Sequence, residues 1–107
     1  MKIWVDDIRK PPSGYLWLKS VREVKLYFCS TLNIDNSTEA IECVNLDHDA
    51  GDYNKWGGDY IEILKWLEQK EFIDGWKINT KFRIHSMNVV GREQMNDIIR
   101  SNGWGKY

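Results

Sequence analysis

The chain has 107 residues, enough for one core and too short for two, so a single domain spanning 1–107 is expected. An apolar fraction of 42% with 13% aromatics excludes a disordered chain. The charged 29% is split almost evenly, for a formal net charge of -1, which speaks against a nucleic-acid polymer as partner but leaves a small anionic ligand open.

Lys2-Ile3-Trp4-Val5 is short, apolar and β-prone, and Asp6-Asp7 ends it. The run is too short for a signal peptide, and no apolar segment approaches membrane-spanning length, so a cytoplasmic protein is expected. Arg9-Lys10-Pro11-Pro12-Ser13-Gly14 is a loop, because its prolines remove amide donors and fix the backbone. Tyr15-Leu16-Trp17-Leu18 reads as a second strand. Ser20 and Glu23 then have the spacing of a capping box, and Val21, Val24, Tyr27, Phe28 and Leu32 form one apolar helical face. A third strand spans Ile41 to Leu46 and ends at Asp47 as the first ends at Asp6.

The segment through Gly51, Gly57 and Gly58 is polar and reads as a flexible loop, in which Trp56 can stack on a base. Asp59 and Glu62 repeat the capping pattern, and Tyr60, Ile63, Leu64 and Leu67 make a second amphipathic helix. Phe82-Arg83-Ile84 is a short strand running into His85-Ser86-Met87-Asn88. A last helix turns Met95, Ile98 and Ile99 inward and stops at Gly103. Cys29 and Cys43 lack CxxC spacing and read as small buried hydrophobes, and Trp4, Trp17, Trp66 and Trp76 as core.

Strands alternating with helices argue for a three-layer α/β domain with a short, mostly parallel sheet, in which ligands bind outside the carboxyl ends of the strands. The polar clusters fall at those ends: Asp6 and Asp7, then Asp47, His48 and Asp49, then His85, Ser86 and Asn88. Crowded carboxylates repel until a proton or a cation neutralises them. Oxygen-rich ligands suit magnesium or manganese, and histidine admits a transition metal, so a divalent metal on Asp6, Asp7, Asp47 and Asp49 is expected.

His48 and His85 are candidates for proton transfer because imidazole titrates near neutrality. Ser86 lacks a nucleophile-elbow motif and suits donation to an oxyanion. Asn88-Val89-Val90-Gly91-Arg92 opens the last helix, whose free amides with Arg92 suit a phosphate. Arg9 is a further candidate phosphate contact.

The ordered segments VDDIRKPP, NLDHDAG, GGDYIEILKWLE and IHSMNVVGREQM resemble the cyclic-phosphate-processing receiver-like domains, relatives of response-regulator receiver domains. The resemblance covers the chain except Leu32 to Glu39. It implies a receiver-like (flavodoxin-like) fold, Asp6 and Asp7 as the acidic pair that binds magnesium, and Asp47 at the position of the phosphoryl-accepting aspartate. His85-Ser86 stands where receivers place a Ser or Thr, and no final strand carries the receiver lysine.

Two functions are therefore expected to compete. One is a metal-dependent phosphoesterase acting on a cyclic phosphate or cyclic nucleotide. The other is a non-catalytic module that binds a phosphorylated ligand or is phosphorylated at Asp47. The partner in both is a small phosphorylated or nucleotide ligand, and the sequence is silent on oligomeric state.

Overall fold

The structure, a computed structural model, describes residues 1–107. In chain order the elements are β1 (Lys2–Val5), β2 (Tyr15–Leu18), α1 (Val21–Thr31), β3 (Cys43–Leu46), a 3-10 helix (Gly51–Trp56), α2 (Ile61–Asp74), β4 (Lys81–Ile84) and α3 (Val89–Ser101). The four strands form one wholly parallel sheet in the order β2-β1-β3-β4. This is an α/β receiver-like fold.

Side chains alternate across each strand, and the register aligns them into rows. Ile3, Val5, Val44, Leu46 and Phe82 point to one face and join the core with Val21, Val24 and Phe28 of α1, Ile63, Leu64 and Leu67 of α2, and Met95 and Ile99 of α3. Tyr60, at the start of α2, is fully buried, and its hydroxyl donates to the Lys19 carbonyl at 2.7 Å.

All three helices thus pack against this face. A parallel sheet is normally covered on both faces by crossover helices. Here β1 and β2 pair side by side across a helix-free loop, and the second face carries Trp4, Trp17 and Tyr15. The loop folds onto that face: the indole N–H of Trp4 donates to the Arg9 carbonyl, and that of Trp17 to the Asp6 carbonyl, both at 2.8 Å. Beyond α3 the tail bridges Lys106 with Phe82 in place of a fifth strand, and Tyr107 reaches across to the Tyr15 hydroxyl at 3.1 Å.

Several local expectations change. The third strand begins at Cys43, because the Ile41 amide is engaged in a turn with the Thr38 carbonyl. Ser20 caps α1 by accepting from the Glu23 amide, but the Glu23 carboxylate reaches the Lys19 amide instead of closing the box on Ser20. The segment after Ala50 is a six-residue 3-10 helix, not a loose loop. Cys29 is exposed while Cys43 is buried. Trp17 and Trp66 are half-buried, whereas Trp104, buried against Phe82, belongs to the core. No helix is long and apolar enough to cross a membrane.

Candidate functional site

Val5, Leu46 and Ile84 stand in one row across β1, β3 and β4, and Asp6, Asp47 and His85 follow them directly. The ladder continues into this next row. The Asp6 amide donates to the Leu18 carbonyl at 3.4 Å, that of Asp47 to Val5 at 2.9 Å, and that of His85 to Leu46 at 3.0 Å. The backbone register therefore sets three ionisable side chains abreast. Each offers one ligand atom, and these atoms lie within 4.8 Å of one another.

His85 is held from three sides. Its ring stacks on Trp4 with centroids 4.0 Å apart and planes 8° from parallel. Nδ1 donates to the side-chain oxygen Oδ1 of Asn45 at 2.6 Å, which puts the proton on that nitrogen because an amide oxygen only accepts. Nε2 faces the Asp6 carboxylate at 2.9 Å. Nε2 is then either protonated against Asp6 or a lone pair pointing among carboxylates, the arrangement of a histidine ligand whose other nitrogen is tied to a carbonyl.

Asp6 is buried. Burial opposes its ionisation, but the amides of Arg9 and Ile8 and the His85 ring outweigh it and hold the carboxyl below its ordinary value. Asp7 goes the other way: burial first, then the neighbouring Asp6 and Asp47, push its carboxyl up. Asp7 lies outside the three-residue cluster, and its side chain packs against Gly51, where a Cβ would fall 2.2 Å from Oδ2.

The middle motif divides between two groups. Asp47 joins Asp6 and His85, while His48 and Asp49 form a second cluster with Asp59. His48 Nδ1 faces the Asp49 carboxylate at 2.9 Å, and the flat of its ring covers Gly91, where a Cβ would come within 2.5 Å. Glycine at 91 is what lets the third strand end meet the first turn of α3. Asp59, expected to cap α2, instead accepts from the Ala50 amide and the Asn54 side-chain amide, which closes the 3-10 helix back on the strand end. The Ala50 amide, against the opposing effect of burial, holds its carboxyl below the ordinary value, helped by Asn54 and His48.

Ser86 is buried, and its hydroxyl accepts from the Asn88 amide, so its oxygen faces its own turn. The Asn88 side-chain oxygen Oδ1 accepts from the Gly91 amide and caps α3, and the side-chain Nδ2 lies 3.5 Å from His48 Nδ1. Arg92 is exposed and donates through one nitrogen to the Ser86 carbonyl, leaving its other donors to solvent. Arg9 contributes its backbone, not its side chain: its amide binds Asp6 and its carbonyl receives Trp4.

Asn45 and Asp59 complete these clusters; the sequence reading gave Asn45 no role and took Asp59 only as a helix cap. Asn45 carries the clearer signal, since a lone amide in the run Cys43-Val44-Asn45-Leu46 must find a buried partner.

The chemistry available is thus two neighbouring groups, each pairing an imidazole with two carboxylates, and both can hold a metal ion. The larger surface grooves lie elsewhere, one of about 620 Å³ beside the end of α2 and one of about 500 Å³ between α1 and the 3-10 helix. Comparison with curated proteins gives no match, and comparison with solved structures gives none either. Comparison with protein families matches residues 1–101 to the cyclic-phosphate processing receiver domain. With that match spanning nearly the whole chain, the protein belongs to the cyclic-phosphate processing receiver domain family.

Proposed function

We propose that this domain is a metal-dependent phosphoesterase that opens a cyclic phosphate, such as that of a cyclic nucleotide. The row of Asp6, Asp47 and His85 across three adjacent strand ends carries the reading. Their donor set fits a divalent cation, magnesium or manganese before a transition metal: two carboxylates, and an imidazole whose far nitrogen is already tied to Asn45. Burial first, and then the charges of Asp6 and Asp47, push the Asp7 carboxyl up, and a cation would relieve the second of these causes.

Such a cation, when bound, polarises a phosphoryl oxygen and makes a bound water more acidic. Asp6 and Asp47 position it, and Asn45 with Trp4 keeps His85 from rotating away. His48, next to the row with Asp49 and Gly91 against its ring, would move a proton at the leaving oxygen. The free donors of Arg92 hold phosphate oxygens at the start of α3. Ser86 supports this turn rather than acting as a nucleophile.

The test is incubation of the purified protein with a panel of cyclic mononucleotides and Mg2+ or Mn2+, followed by phosphorus NMR. Ring opening by the wild type and its loss in Asp47→Ala are expected. No turnover of any member by a folded protein overturns the reading. The self-contained hydrogen bonding of Asp6, His85 and Asn45 favours a second reading, a module that binds the phosphorylated ligand without turnover, in which the same panel stabilises the fold but is recovered intact.

A further inference from the structure

Trp56 and the cations around it take no part in the strand-end chemistry. Trp56 ends the 3-10 helix and is 45% exposed, and Leu26 on α1 is 62% exposed. Together with Arg22, Lys25, Lys55 and Gly57 they line the groove of about 500 Å³. The walls are fixed to each other: a Cβ on Gly57 would strike Val21 at 2.9 Å, so the 3-10 helix lies directly on the first turn of α1.

Every ionisable residue of this groove is a cation. None of the three is in a salt bridge; the ion pairs of the chain lie at other residues. The Lys55 ammonium lies 5.5 Å from the Trp56 ring, and that of Lys25 lies 5.8 Å from Trp66. On a chain of net charge -1, this is a concentrated positive patch around an exposed indole.

We propose that this groove is a second binding site, for a mononucleotide, with the base stacked on Trp56 and the phosphate held by Arg22, Lys25 and Lys55. An indole face suits any planar base, and the guanidinium with two ammonium groups suits the phosphate. The volume is that of a small-molecule site. Past Gly57 the surface continues to Glu62, the first carboxylate along this face, which pairs with Lys65 at 3.6 Å. The site is separate from the strand-end clusters, so it stands whether or not they turn over a cyclic phosphate.

The test is titration of isotope-labelled protein with adenosine monophosphate at low salt, following indole and backbone N–H signals. Saturable shifts at Trp56, Arg22 and Gly57 are expected. Trp56→Ala and the double variant Arg22→Glu/Lys25→Glu, with Trp56 and Arg22 exposed and Lys25 half-buried, should weaken binding at least about tenfold, the loss of one stacked base or of its phosphate contacts. Asp47→Asn should bind like the wild type, adenosine should bind more weakly, and added salt should weaken the nucleotide alone.

The proposal is overturned by an absence of shifts in the groove, or by shifts confined to the strand ends and lost in Asp47→Asn. Equal binding of adenosine overturns it too, as does a glutamate-rich peptide that occupies the groove when the nucleotide does not. A single-stranded oligonucleotide binding more than about a hundredfold tighter than the mononucleotide would reassign the groove to a polymer.

Discussion

The two histidine clusters contain the same groups, one imidazole and two carboxylates, yet they are built differently. The Asp6–Asp47–His85 cluster is set by the ladder of a parallel sheet, with Asp6 only 1% exposed and the His85 side chain 12%. The His48–Asp49–Asp59 cluster is set by a loop closing on a helix, and its Asp49 side chain is 62% exposed. Position fixed by backbone register leaves little freedom to adjust, which suits holding a cation in fixed geometry. Position fixed by a neighbouring turn leaves one partner in water, which suits exchanging a proton.

Three substitutions separate the clusters. The largest effect is expected of Asn45→Ala, which removes the carbonyl that orients His85. Affinity for Mn2+ should fall by about 10–100-fold, as for loss of a partner behind a metal ligand. Calorimetric titration measures it, and unchanged affinity would take His85 out of the cation site.

Next is Gly91→Ala, whose new Cβ meets the His48 ring. Overpacking should cost about 1–3 kcal/mol in urea unfolding, against a gain of up to about 1 kcal/mol in helix propensity. The His48 ring signals should move while those of His85 stay in place. If both move together, the clusters are one mechanical unit.

The smallest is Asp59→Ala, which should cost about 1 kcal/mol through the two hydrogen bonds that hold the 3-10 helix. The folded-state carboxyl titrates below its unfolded value of 3.8, so this stabilisation is complete above that pH and disappears as pH falls through the lower folded value. The gap between variant and wild type should accordingly be flat near neutrality and close only in strong acid. A gap that closes well above that value would overturn the assignment to the Asp59 carboxyl.

Much of the arrangement was legible because strands announce their ends. Lys2–Val5 and Tyr15–Leu18 have their expected limits, and placing Asp6, Asp47 and His85 on one rim required only the abrupt switch from apolar to charged residues. What escaped was set by long-range geometry. Capping spacing assigned Asp59 to α2, but the amide of Ala50, brought back by the 3-10 turn, competes for the same carboxylate. Asn45 was hidden by its apolar neighbours, and Asp7 looked equivalent to Asp6 although alternation along a strand sends adjacent side chains to different faces. Cys29 escaped because an apolar context along the chain does not say which side of the helix faces water.

The helix-free link between β1 and β2 also bears on when the cluster comes into being. Pairing residue 2 with residue 15 closes a short loop, whereas joining Asp6 to His85 closes one of 79 residues, and closure entropy grows with the logarithm of length. The first two strands can zip early, but the carboxylates and the imidazole meet only when β4 docks. A cation held by Asp6, Asp47 and His85 would then recognise the finished sheet alone, and such a ligand would slow unfolding more than it speeds folding. It would act as a latch on β4.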